Sequence, residues 1–334
     1  MTVARRPWLS NKSPILGLSQ GEEDLRSQQV AHTIEEGKLD GGISAFSYAS
    51  DGRFTMTTSL QIPTPLGDVH LEAEGSGFRS TVPPELCYQG IGFGGYSAAV
   101  AAMAGFAHMP GRTLRSIHAA FTAPTRPGAL QVAARVLSAG RSCGLCEVTI
   151  EQEDDLVLTA SAWFVDPQMM NGLESQGTQP ISFEDCDRLP WVTEWAPFLK
   201  GLNLRAVDYP LSYDDFYDGQ ARVALWAVPD ATDSEPRTAE ICGRLTDIMF
   251  FDAFLLDAGM RTESPLTRMI SLDLSVIWSA GHAAPAPTLL EADGRIDHQL
   301  ASMQGILRDT TGSVRASATT QARVFRAVRE SHGS

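Results

Sequence analysis

The sequence predicts an α+β fold in which one architecture occurs twice: strand material, a buried helix, then four long strands, each set in about 120 residues. Two observations carry this. The segments 93–109 and 239–258 are apolar on nearly every face, which suits helices enclosed by other elements rather than surface helices. Each is followed by runs rich in β-branched and aromatic residues and bounded by Gly and Pro, the mark of antiparallel strands. With one helix per long sheet, the two sheets are expected to pair into one continuous body.

The chain has 334 residues, which suits roughly two domains, and its 43% hydrophobic and 20% charged content is that of a globular protein. A formal charge of −14 without an offsetting basic block argues against nucleic-acid and anionic-membrane partners. An anionic small substrate would have to be met by local arginines, for which Arg112, Arg115, Arg126 and Arg141 are candidates. The opening residues lack the apolar core of a signal peptide, and no run has the ~18 uninterrupted apolar residues of a membrane helix, the nearest, 93–109, being short and built from Gly and Ala, so a cytoplasmic location is expected.

In chain order, residues 1–48 read as a polar extension, with a charged piece at 21–42 that could form a short helix. Residues 49–166 form the first unit. DGRFTMTTSL and GDVHLEAEG read as strands, and GFGGYSAAVAAMAGFAHM as a closely packed helix. TLRSIHAAFTAP, GALQVAARVLSAG, RSCGLCEVTIEQ and LVLTASAWFV complete the strands. The glycines at 90, 92, 94 and 95 lack the Lys-Ser/Thr of a phosphate loop and the spacing of a dinucleotide fold; Gly94 and Gly95 instead suit a helix starting in tight contact with a sheet. The five scattered cysteines speak against a disulfide framework. The only CxxC, Cys143 and Cys146, sits in a strand that sends them to opposite faces, and no His spacing suggests a metal site. Residues 167–200 read as a linker packing through Trp191, Trp195 and Phe198.

The second unit spans 201–327, followed by a short tail at 328–334. LNLRAVDYP and QARVALWAV open it as strands, and the helix 239–258 is expected to stop at Gly259 with Thr238 as a possible N-cap. Asp247 lines up there with Phe251, Phe254 and Ala258, a setting that raises a carboxyl pKa and suits it to proton handling. Strict alternation then points Ile270, Leu272, Leu274, Val276 and Trp278 one way and Ser271, Asp273 and Ser275 the other. TLLEADGRI, LASMQGILRD and SVRASATTQARVF supply the remaining strands.

In this order the segments resemble the double-hotdog acyl-CoA thioesterases of the TesB (thioesterase II) type, over roughly 50–327. GFGGYSAAVAAM looks like the family's Gly-Gly helix start, LRSIHAAFTAP like its His-containing strand, and AGRSCGLCEVTIEQEDDLVLTASAWF like its Gly-Arg-Ser and Thr-Ala-Ser strands. GRLTDIMFFDAFL, ISLDLSVIW and SVRASATTQARVF look like the segments carrying its Asp, its Thr or Ser, and its Gln. The resemblance implies a double hotdog, two tandem units each with a long helix wrapped by an antiparallel sheet, and hydrolysis of an acyl-CoA or carrier-protein thioester by water without a covalent intermediate or cofactor. It assigns Asp247, Ser271 and Gln321 to catalysis, and Gly94, Gly95, Arg141 and Ser142 to the substrate. Thr320 is the alternative third residue, because alternation sends Gln321 to the opposite face unless a bulge near 318–320 restores it. The family's His and Arg at the strand end are absent, with Leu274, Ser279 and Ala280 in that region. A non-hydrolytic acyl-thioester enzyme or binding protein is the alternative, and a homo-oligomer is expected because open sheets leave edges and faces to cover.

Overall fold

A computed structural model describes residues 47–48, 54–55, 59–170, 179–229, 235–265, 267–279 and 285–326. The expected helix within 21–42 and the tail at 328–334 lie outside these residues, as does the side chain of Trp195. Apart from two separate two-stranded ribbons, Ser47–Tyr48 with Phe54–Thr55 and Cys87–Tyr88 with Ile91–Gly92, the first half contributes strands β1 (Leu60–Ile62), β2 (Val69–Glu74), β3 (Gly77–Val82), β4 (Thr113–Phe121), β5 (Gly128–Ala139), β6 (Cys143–Gln152) and β7 (Asp155–Val165), with helix α1 (Gly94–His108) between β3 and β4. After the short helix α2 (Pro190–Trp195) come β8 (Leu202–Asp208), β9 (Arg222–Pro229), helix α3 (Pro236–Met260), β10 (Arg268–Ser271), β11 (Asp273–Trp278), β12 (Thr288–Asp297), β13 (Leu300–Arg308) and β14 (Val314–Phe325).

These strands form one sheet in the order β8-β9-β12-β13-β14-β11-β4-β7-β6-β5-β3-β2-β1, with β10 also paired to β14. From the centre outward the halves read β4-β7-β6-β5-β3 and β11-β14-β13-β12-β9, so the second half repeats the winding of the first. The seam is the antiparallel β4–β11 pair, with Leu274 opposite Ala119 and Val276 opposite Ile117. On its outer face His118 Nδ1 lies 2.6 Å from Ser275 Oγ. The β6–β7 hairpin closes through Glu153 and Asp154, both at positive φ, which matches a tight two-residue turn to the twist of the strands.

Both long helices lie in the core. Every residue of α1 from Gly95 to Ala107 is buried, and its small side chains let neighbours come close. A Cβ on Gly105 would meet the Phe164 ring of β7 at 2.7 Å, which is why glycine stands there. Helix α3 begins three residues before the sequence suggests. Pro236 takes the first turn, where its missing N–H costs nothing, so Thr238 lies inside the helix. It also runs through Gly259 to Met260. Cys143 and Cys146 share β6, Cys143 half-buried and Cys146 buried on the opposite face.

Candidate active site

The two helices meet where α1 begins. A Cβ on Gly95 would lie 3.0 Å from both the Met249 Cα and the Asp252 Cβ of α3, and one on Gly94 would lie 3.1 Å from Asp252 Oδ2. The glycine pair therefore allows close approach mainly to the second helix, rather than only to the sheet as the sequence suggests. Gly95 N–H donates to Asp252 Oδ2 at 2.6 Å, and Ser271 Oγ donates to Asp252 Oδ1 at 2.9 Å. Asp252 is only 1% exposed. Burial lifts its carboxyl to about 6, against the lowering effect of the Ser271 and Gly95 hydrogen bonds. The positive end of the α1 dipole also favours the ionised form.

Ser271 reaches this carboxylate because the expected alternation fails. Ser271 faces Ala322 and Ser275 faces Thr319, so four steps along one strand match three along the other. One extra residue is accommodated between β10 and β11, a β-bulge. Its effect is to bury Ser271 on the same side as Leu274, Val276 and Trp278, and to leave Leu272 38% exposed.

The expected Asp247–Ser271 pair does not form. Asp247 is buried one and a half turns earlier on α3, where Trp278 Nε1 donates to its Oδ2 at 2.8 Å and Arg315 Nη2 lies 3.4 Å from its Oδ1. The Arg244 guanidinium lies 5.1 Å from the centre of the Trp278 ring. An apolar helix stretch does hide a carboxylate here, but an arginine and an indole satisfy it.

The third position resolves in favour of the alternation. Thr320 is buried and donates to the Asp273 carbonyl, while Gln321 lies on the exposed face, its Nε2 donating to Asp273 Oδ2 at 2.9 Å. The β13–β14 register is regular from Leu300 to Leu307, so no bulge near 318–320 carries Gln321 inward.

Residues 82–165 match the family described as the acyl-CoA thioesterase N-terminal domain. Among solved structures, the acyl-CoA thioesterase II TesB2 of Mycobacterium marinum superposes with a TM-score of 0.62 at 17% identity, covering 79% of this chain and 97% of its own. A TesB protein of Mycobacterium avium subspecies paratuberculosis gives 0.60 at 17%, with 76% and 96% covered. The fold is the double hotdog of the TesB-type thioesterases. A hotdog protein of unknown function from Alicyclobacillus acidocaldarius gives 0.62 at 18%, with 77% and 96% covered. No curated protein sequence matches the chain.

Within the double hotdog, Arg141 and Ser142 stand apart from Gly94 and Gly95. Ser142 and Cys143 adjoin the Val165 end of β7, which pairs with Thr113, whereas Gly94 lies beside Phe121 at the other end of β4. The nine residues of β4 set the two ends eight steps apart, about 26 Å at ~3.3 Å per step. The candidate arginines divide likewise. Arg112 donates to the Gly140 carbonyl near Arg141, whereas the Arg126 backbone bonds to Gln152 at the Phe121 end.

Sequence reasoning singled out one acid on α3, yet the helix buries three at five-residue spacing: Asp247, Asp252 and Asp257. That repeat was the available signal, because 140° per step sends each to a different neighbour. Asp257 accepts from Tyr209 Oη at 2.6 Å, and burial pushes it up to about 7 against the Tyr209 bond and nearby Arg261. Beyond Tyr209 opens a cavity of about 490 Å³ lined by Asp208, Asp214, Asp215 and Asp218 together with Tyr217 and Arg261. Its acidity repels the phosphates of a coenzyme A thioester.

Proposed function

We propose that the chain is an acyl-thioester hydrolase in which Asp252 is the general base, Ser271 orients it, and the start of α1 receives the thioester carbonyl. The observation that carries this is the junction at which Asp252, Ser271 and Gly95 meet. With its carboxyl at about 6, Asp252 is ionised at neutral pH yet basic enough to accept a proton from water. The water oxygen attacks the carbonyl carbon as its proton passes to Asp252, and the carbonyl oxygen gains the negative charge. Collapse expels the thiolate, which recovers the proton, leaving a carboxylic acid and a free thiol. Once protonated, Asp252 is a poorer acceptor, so Gly95 N–H becomes available to the developing oxyanion beside the N–H of half-buried Gly94. Phe93, stacked on Phe198 at 4.9 Å, and Phe121 lie over the two glycines and offer an apolar approach for the acyl chain.

Coenzyme A release from a panel of acyl-CoAs tests this reading. Turnover that survives Asp252→Asn would sink it. The outward Gln321 favours a second reading, an acyl-thioester enzyme or binder that does not hydrolyse, because the amide that the resemblance offers to the water lies on the other face. Calorimetric binding of acyl-CoA with intact thioester recovered afterwards would select this alternative.

A further inference from the structure

We propose that Asp273 and Gln321 form a clamp that holds the extra residue in the strand and so turns Ser271 toward Asp252, making both positioning residues rather than groups that touch the thioester. The inference rests on the proposed role of the Asp252–Ser271 pair. Four hydrogen bonds link the dipeptides Leu272–Asp273 and Thr320–Gln321. Gln321 N–H donates to Asp273 Oδ1 at 2.7 Å and Gln321 Nε2 to Oδ2 at 2.9 Å. Leu272 N–H donates to the Gln321 carbonyl at 2.7 Å, and Thr320 Oγ1 to the Asp273 carbonyl at 2.5 Å.

The chemistry of these bonds explains why the bulge sits here. An inserted residue interrupts the ladder and leaves backbone groups needing other partners. The Asp273 carboxylate supplies one by accepting the Gln321 N–H, and its second oxygen takes the side-chain amide of the same residue. An asparagine would replace one of these acceptors with a donor. A further tie, Phe121 N–H to the Leu272 carbonyl at 2.9 Å, anchors the bulge to β4, whose Phe121 ring lies against Gly94. In an unbulged strand continuing from Leu274, Ser271 would share the outer face with Ser275, out of reach of α3.

The test is a carbon-13 carboxyl titration of the full chain, with the Asp252 signal assigned by its loss in Asp252→Asn, alongside acyl-CoA turnover. Removing the Ser271 donor raises the Asp252 midpoint, so Ser271→Ala is expected to move it up by about one pH unit. Asp273→Ala should move it in the same direction by a similar amount, and the double variant no further than Ser271→Ala alone. Asp273→Asn, which keeps one acceptor and serves if the alanine variant does not fold, should give a smaller upward shift. If either folded Asp273 variant titrates like the wild type while Ser271→Ala is shifted, the clamp is wrong and the active-site reading stands. If Ser271→Ala itself leaves the midpoint unmoved, the Asp252–Ser271 contact fails and the clamp with it. Gln321→Ala that abolishes turnover with Asp252 titrating normally would place the amide at the substrate and overturn the proposal.

Discussion

Replacing Asp252 by asparagine should cost activity and return stability, by an amount that depends on pH. The folded carboxyl titrates near 6 against an ordinary value of 3.8. Between those values the folded chain keeps a proton that the unfolded chain has released, so stability declines as pH rises through this window and levels off above it. A displacement of about two pH units corresponds to ~3 kcal/mol, of which ~2 kcal/mol falls between pH 4.5 and 7.5. Asparagine removes that dependence and preserves the contacts: its oxygen can accept from Gly95 N–H, and its amide can donate to Ser271 Oγ. Urea unfolding of both proteins at the two pH values reads the effect as a difference of differences, in which Asp257, present in both, cancels. The variant should gain ~2 kcal/mol relative to the wild type on going from pH 4.5 to 7.5. An unchanged difference would mean that burial does not perturb Asp252, and the case for a tuned base would be lost.

Asp247→Ala strips Arg315 and Trp278 of their shared carboxylate and should destabilise the fold by about 3–5 kcal/mol in urea titrations. Asp247→Asn, which keeps an acceptor for the indole, should retain acyl-CoA turnover; its loss in a well-folded protein would return the catalytic role to that residue. Gly95→Ala places a methyl carbon 2.7 Å from Phe93 Cζ and 3.0 Å from the α3 backbone, so a loss of about 1–3 kcal/mol and a sharp fall in kcat are expected. A variant as stable and active as the wild type would show that the helices do not need this close approach. Trp163, 43% exposed, and Ile277, 48% exposed, flank Ser116 on the outer face of the sheet, an apolar patch that suits self-association. Light scattering should give a multiple of the 36.1 kDa chain mass, and a single-chain mass would refute it.

The fold was legible because the signals that specify it are local and repeated. Apolar Gly/Ala content all round 94–108 marks a buried helix, long runs such as 143–152 mark strands, and the recurrence of the order after residue 200 marks the second half. The site was legible only in part, because it depends on where the local rules are broken. Ser271 was found from its place in ISLDLSVIW, yet strict alternation would have turned it away from the helices. The interruption that turns it inward comes from Asp273 bonding to a residue 48 positions later, a partnership invisible to any window of sequence. The choice among Asp247, Asp252 and Asp257 has the same origin. All three sit in similar apolar surroundings along one helix, and what separates them is the partner each meets: an arginine and an indole, a helix N-terminus and a serine, or a tyrosine. Arg315 pairs with Asp247 and Arg261 acts on Asp257, whereas Asp252 has no cation among its partners and accepts from the N-terminus of α1, so it alone combines a raised pKa with a helix N-terminus beside it. A carboxylate in that position can exchange a proton without breaking an ion pair, which is why the chemistry is assigned five residues beyond the acid that the sequence first suggests.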